Sequence, residues 1–354
     1  MQIRSNCIHF RGDMPCQPHK AHGYHCPDCP EFQAFTSRIC IIKLGAAGDV
    51  IRTTPLLHSL IAAWPEAEIT WVTDYPVLVP ASKVNRIMKW NAETMTWLLA
   101  NRFDILYNLD KDPHAIAVAT MMQAEQKHGY LQDAFGKCQP ANQAAQHKWL
   151  TGLFDDLCLQ NRKSYPQEIL EMCGFEWHGQ EYMLELPATV PAFDLPQGRI
   201  IGMNTGCGTR WLTRLWGEEN WIALAKLCSA AGYIPLLLGG PVEDEMNRHI
   251  ATHSPAHYLG TFPLPDFLHL VNRCDLVVSS VTMSMHIAIG LHKKLVLFNN
   301  IFNRHEFELY GHGTILQPQG KPCLGCYRNH CDEPCMQTIQ PQLVLNTIND
   351  LLTL

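Results

Sequence analysis

Four short apolar runs in the second half of the chain, each closed by a polar or glycine-rich loop, restrict its fold more than any other feature. The first, Ile200-Ile201-Gly202-Met203-Asn204, opens into Thr205-Gly206-Cys207-Gly208-Thr209, then Arg210 and Arg214, then a helical pattern from Glu218. The second, Ile234 to Leu238, ends in Gly239-Gly240-Pro241, with Glu243 just beyond. The third, Asp275 to Ser280, precedes Thr282, Ser284 and His286 at the start of a helix, and the fourth runs from Lys294 to Asn299. Short apolar strands alternating with helices predict a parallel sheet, in which ligands gather at the C-terminal strand ends. Three of those ends carry polar or glycine-rich loops, which together suit a nucleotide-like ligand.

The loop after the first run is built like an anion site. Small residues let backbone N–H groups approach a phosphate, and the following helix adds positive potential at its N-terminus. Arginine supplies paired donors to phosphate oxygens. An ordinary βα turn has the same local sequence, so the loop alone does not decide. Cys207 sits within it and is expected to pack as a small apolar residue.

At 354 residues, the chain is long enough for about two domains. A net charge of −6 argues against a nucleic-acid partner held by bulk charge. No apolar run reaches membrane-spanning length and no signal-peptide pattern opens the chain, so a cytoplasmic protein is expected, with peripheral attachment to a membrane surface left open.

The 15 cysteines are numerous for such a chain. Eight form two tight groups: Cys7, Cys16, Cys26 and Cys29, and Cys323, Cys326, Cys331 and Cys335. Four thiolates at short spacing meet the tetrahedral demand of structural zinc, and an iron or iron–sulfur site is the competing metal reading. A closed four-cysteine site leaves no open position, so no catalytic metal is expected. Free thiols are the bland alternative. Residues 1–36 are rich in Cys, His and Pro and lack an apolar period, so a metal is expected to order them.

Residues 37–190 read as a first α/β domain. It has strands at 38–44, 67–73 and 103–110, one helix from Asp49 to Trp64, and mainly helical pattern over 111–180. Three prolines between Leu186 and Pro196 mark a linker. Residues 191–340 form the second domain, and 341–354 an amphipathic helix.

Over roughly residues 38–354 the chain resembles glycosyltransferase family 9, the heptosyltransferase-like enzymes. Five segments in order carry the resemblance: Ile41 to Pro55, Asn204 to Trp216 with Glu219-Asn220-Trp221, Leu238 to Glu243, the run to His286, and Cys323 to Arg328 with Cys331 and Pro334-Cys335-Met336. The resemblance implies a GT-B architecture, two Rossmann-like domains facing a cleft. It implies an inverting transfer from a nucleotide-sugar donor, usually ADP-heptose, to a surface glycan such as lipopolysaccharide core at the inner membrane. One segment departs from the family: Val281-Thr282-Met283 stands where many members carry Asp-Thr-Gly.

Asp49, after the Gly45–Gly48 turn, corresponds to the family's proposed general base; by local sequence alone it reads as a helix cap. Arg214 and the amides of residues 206–209 would hold the leaving diphosphate, with Thr205 also on the donor side, against a plain surface charge for Arg214. Glu243 would bind the donor ribose, with Thr282, Ser284 and His286 nearby; His286 is expected to pack or cap rather than catalyse. Gly48, Asp110 and Lys111 are expected on the acceptor side, and Asp110 is the fallback base. Three other readings stay open: a non-catalytic sugar-nucleotide-binding protein, a transferase acting on a protein acceptor, and a nicotinamide enzyme. The last is weakened because no loop completes G-x-G-x-x-G.

Overall fold

A computed structural model describes residues 2–333 and 335–353. Met1, Leu354 and Pro334 of the cysteine-bearing motif lie outside the described residues. The chain forms two compact α/β units, each around its own sheet.

Unit 1 comprises residues 1–45, 55–149 and 169–176. Its strands are β1 (Ser37–Ile42), β2 (Ala67–Thr73), β3 (Arg86–Lys89), β4 (Arg102–Asn108), β5 (Gln123–Gln132) and β6 (Cys138–Pro140), in the spatial order β3-β2-β1-β4-β5-β6. All neighbours are parallel except β5 and β6. Central strand β1 is almost wholly buried from Ile39 to Ile42, which is why its sequence is an unbroken apolar run.

Unit 2 comprises residues 46–54, 150–168 and 177–354. Its strands are β7 (Ile200–Asn204), β8 (Ile234–Leu238), β9 (Leu276–Ser280), β10 (Lys294–Phe298) and β11 (Gly313–Leu316), all parallel, in the order β11-β10-β9-β7-β8. The helices Glu218–Ala230 and Pro341–Thr353 pack over β7 and β10 through a core that includes Trp216, Trp221, Phe298 and Ile348. Trp216 donates its indole N–H to Ile339 O at 2.8 Å, so the buried ring carries no unmet donor. The four expected strands are β7 to β10, and β11 adds a fifth.

The structure corrects two local expectations. The segment 111–180 holds four α-helices, Pro113–Met121, Gln146–Thr151, Asp155–Gln160 and Tyr165–Met172, but also the ten-residue β5 and the short β6, which its pattern does not announce. Strand β5 (QAEQKHGYLQ) has no apolar run, and its pairing with β4 comes from the backbone. The single helix expected from Asp49 to Trp64 is two, Ala47–Ile51 and Leu56–Ala63. Between them Thr53 Oγ1 donates to Asp49 O and Thr54 Oγ1 to Ile51 O, both at 2.7 Å, and Pro55 caps the second helix. Hydroxyls that bond back to the turn, together with a proline, interrupt a helix.

The N-terminal residues belong to unit 1 and are ordered by backbone pairing. Ile8 N donates to Gln33 O and Phe35 N to Asn6 O, each at 2.9 Å, and the Arg4 guanidinium lies 4.4 Å over the Phe32 ring.

Candidate active site

Asn204, the last residue of β7, ties the expected donor residues of unit 2 together. Its amide donates to Gly206 O at 3.1 Å and to Thr282 Oγ1 at 3.3 Å, and its carbonyl oxygen accepts from Ser284 Oγ at 2.7 Å. Thr282 caps the helix Met283–Gly290 by accepting from Ser284 N at 3.2 Å, and its hydroxyl lies 3.0 Å from Ser279 Oγ. Thr205 Oγ1 donates to Asn247 Oδ1 at 2.6 Å. Glu243 accepts from Gly240 N at 2.9 Å and lies so close over Gly206 that a Cβ there would sit 2.0 Å from Oε1. Gly206 is therefore required by close approach. The ends of β7, β8 and β9 thus bring Thr205, Gly206, Glu243, Thr282 and Ser284 together. Asn204 and Asn247 are not among the expected site residues, although Asn204 opens the loop motif.

Arg214 differs from its expected role. It is buried, 8% exposed. Its guanidinium donates to the carbonyls of Cys207, Trp211 and Val281. Burial weakens its charge, with the Cys207 thiol acting in the opposite sense. Arg214 therefore folds the loop around itself. Val281, at the family's aspartate position, contributes its carbonyl to that clasp. Burial pushes the Cys207 thiol up from its ordinary range, which fits a packed rather than a reactive residue. Gly208, with φ of +69°, and Thr209 complete the loop.

A second cluster lies one turn along the helix Met283–Gly290. Asp49 stands in the first turn of Ala47–Ile51, where one carboxylate oxygen accepts from Ala46 N at 3.2 Å. The other accepts from Arg52 Nη2 at 2.8 Å. Arg52 is only 15% exposed, reaches Glu306 at 3.9 Å and lies 3.5 Å over the Tyr165 ring. Burial alone would weaken its charge, but Asp49, Tyr165 and Glu306 together hold its pKa above the ordinary range. Asp49 is therefore both a cap and an ion-pair partner, with its side chain still 31% exposed. Arg52, Tyr165 and Glu306 are invisible to sequence reasoning because Tyr165 and Glu306 come from distant segments. The only local signal is the i,i+3 spacing of Asp49 and Arg52.

His286 is buried against Gly48, where a Cβ would come within 2.5 Å of its ring. Gly48 is therefore a packing glycine under the imidazole. Tyr182 Oη lies 3.3 Å from His286 Nδ1. Burial, helped by the Arg52 charge and opposed by Asp49, pushes the His286 pKa down to about 3. The unfolded chain therefore binds this proton between about pH 3 and 6.5 and the folded chain does not, so stability is lost as pH falls through that window. A His286→Gln variant is expected to lose up to about 1.4 kcal/mol per pH unit of acid sensitivity there. Urea unfolding of both proteins from pH 7 to pH 4 measures it; parallel curves would contradict a neutral buried imidazole.

The two remaining acceptor-side expectations fall in unit 1. Asp110 is fully engaged: Oδ2 pairs with Lys43 at 3.1 Å and accepts from Leu44 N and Gly45 N, while Oδ1 accepts from Asp112 N. It fastens the end of β4 to the residues that follow β1. Lys111 lies 5.1 Å over the Tyr130 ring.

Neither cysteine group is drawn into a metal-binding set. Among the described residues, no three His, Cys, Asp or Glu side chains converge as ion ligands. Cys7 is buried in a β-bridge to Ala34, and Cys16 and Cys29 flank short helical turns. Cys323, Cys326, Cys331 and Cys335 do line one cavity of about 220 Å³, together with His330 and Thr213.

No curated protein sequence matches the chain. Solved structures do match its fold. A glycosyl transferase family 9 protein from Veillonella parvula superposes with a TM-score of 0.70 at 17% identity, covering 91% of this chain and 99% of that one. The ADP-heptose lipopolysaccharide heptosyltransferase II of E. coli gives 0.67 at 18% identity, covering 89% and 98%. The iron-containing dodecameric glycosyltransferase TibC of enterotoxigenic E. coli gives 0.58 at 11% identity, covering 91% and 77%. The family model for glycosyltransferase family 9 (heptosyltransferase) matches residues 94–336, well over half of the chain. Two parallel-sheet units, the strand-end network of unit 2 and that match agree: the chain belongs to glycosyltransferase family 9 and is a glycosyltransferase.

Proposed function

We propose that the chain transfers a sugar, heptose in the first instance, from a nucleotide diphosphate such as ADP-heptose to a surface glycan, lipopolysaccharide core being the leading acceptor. The observation that carries this reading is the Asn204-centred network, which fixes a glycine loop, a helix N-terminus and the Glu243 carboxylate at adjoining strand ends. Loop amides and the helix start are suited to the departing diphosphate, and Glu243 to ribose hydroxyls. The name of the E. coli ADP-heptose enzyme supports the choice of donor. Asp49 takes the proton from the acceptor hydroxyl, and inversion follows from attack on the face opposite the diphosphate. No described helix is long and apolar enough to cross a membrane, so a glycolipid acceptor would be met at the membrane surface.

The test is a panel of nucleotide sugars added to the purified protein. The true donor at a hundred times its Kd should stabilise the fold by about 2.7 kcal/mol. Gly206→Ala, which forces Glu243 off the loop, should remove most of that shift. Stabilisation by NAD and by no nucleotide sugar would defeat the reading. Binding without turnover over a full panel of acceptors would favour a sugar-nucleotide-binding protein instead.

We also propose a structural metal, zinc before iron, at Cys323, Cys326, Cys331 and Cys335. The support is their shared cavity and their spacing; the same is proposed on spacing alone for Cys7, Cys16, Cys26 and Cys29. TibC, similar in fold, is an iron-containing protein, which makes iron the alternative metal. Elemental analysis of untagged protein should give about one metal per four-cysteine group. Visible absorbance would select iron over zinc. Metal-free protein with an unchanged melting temperature would exclude both sites.

A further inference from the structure

An open cavity of about 450 Å³ in unit 2 has no part in the strand-end network. Its lining is Arg162, Ser164, Gln167, Arg304, His305 and Glu308, with Phe307 and Ile315 behind. Two guanidinium groups against one carboxylate is a local reversal in a chain of net charge −6. Neither guanidinium is paired with a carboxylate among the described residues. Arg162 Nη1 donates to the carbonyls of Leu159 and Asn161, at 2.8 and 3.2 Å, which aims the group without neutralising it.

The cavity is built rather than incidental. Asn303, 5% exposed, donates to Cys158 O at 2.6 Å and to Asn161 O at 2.8 Å, and accepts from His305 N at 3.1 Å. One buried amide therefore pins the turn bearing Arg162 to the turn bearing Arg304 and His305. Burial, with Arg162 and Arg304 beside it, depresses the His305 pKa, so the imidazole is the uncharged member of the wall and the positive charge rests on the two guanidinium groups. The size suits a sugar-sized ligand. Both walls also continue into the Asp49 cluster: Ser164 precedes Tyr165, and Arg304 is two residues from Glu306, the two groups that hold Arg52.

We propose that this groove binds an anionic sugar, its phosphate or carboxylate held by Arg162 and Arg304 and its hydroxyls by Ser164, Gln167 and Glu308. Paired guanidinium groups match either anion in a two-point geometry. Such a ligand has two sources, the charged part of the acceptor or a free phosphosugar acting as an effector. Only the choice between them rests on the transferase reading; the binding site does not.

The experiment uses the full chain and glucose 6-phosphate as the probe, with glucose and inorganic phosphate as controls, by calorimetry at low salt. Glucose 6-phosphate should bind, glucose should not, and phosphate should bind more weakly. The Arg162→Gln/Arg304→Gln double variant should weaken glucose 6-phosphate binding at least about tenfold, the scale of a lost charge-assisted contact. Both residues are exposed, so its melting temperature should stay near wild type. Gly206→Ala should leave this binding unchanged, since that residue belongs to the other site. Competition with the acceptor in a transfer assay identifies an acceptor subsite, and a rate change without competition identifies an effector. No binding to wild type, or equal binding to the double variant, overturns the proposal. If nucleotide sugars fail to bind while arginine-dependent glucose 6-phosphate binding persists, the donor reading has failed and this one stands.

Discussion

Asp49→Asn is expected to cut sugar transfer by about a hundredfold or more, the scale for losing a general base, while the protein stays folded. Asn can still accept from Ala46 N, so the turn keeps its cap. What it cannot do is take a proton or balance the Arg52 charge. Nucleotide-sugar binding should survive, because no donor-network hydrogen bond described for Asn204, Thr205, Thr282 or Ser284 involves Asp49. Separate measurement of the donor Kd and of kcat decides the matter. A folded variant with full turnover would leave Asp49 as a cap and nothing more. Asp110, whose oxygens meet Lys43 and the backbone of unit 1, is the carboxylate to vary next in that case.

Arg52→Met is expected to cost about 3 kcal/mol of stability, the lower end for a broken buried pair, because Asp49 is partly exposed and screened. Met keeps much of the stem volume, so the loss reports charge and the Tyr165 stacking rather than a cavity. Turnover should fall as well, through a carboxylate left free to rotate, with the donor KM little changed. Arg52→Lys should recover only part of either, since a lysine cannot stack flat on Tyr165 while reaching both carboxylates. Urea unfolding and steady-state kinetics on the three proteins test this. A variant as stable as wild type would show that the Asp49–Arg52–Glu306 arrangement contributes little.

The sheet of unit 2 is legible in the sequence because β7 to β10 are buried along nearly their whole length, which forces an apolar run and a sharp end. Strand β5 is not: it carries one of the most polar strand sequences in the chain, and only its backbone pairing declares it. The strand-end residues of unit 2 can be placed near one another from sequence because strand-end loops gather by topology. The Arg52 cluster cannot, because its members come from residues 49–52, 165 and 306, and only folding brings them together. Arg214 belongs to the loop, as its place in the sequence suggests, yet it is no free phosphate donor. A sequence records a guanidinium but not whether backbone carbonyls already occupy it.

The grouping of residues 46–54 with unit 2 bears on how such enzymes can be recombined. A chimaera joined at the proline-rich stretch 186–196 would take Asp49 and Arg52 from one parent, and Glu306 and His286 from the other. The splice would look clean in an alignment and would put the two sides of the Arg52–Glu306 contact, the Gly48–His286 packing and the Tyr182–His286 contact in different parents at once. Unit 1 is better exchanged by replacing residues 1–45, 55–149 and 169–176 around retained 46–54 and 150–168 segments. The grafting unit in this fold is set by contacts in space, and its borders fall at Gly45 and Pro55 rather than at the middle of the chain.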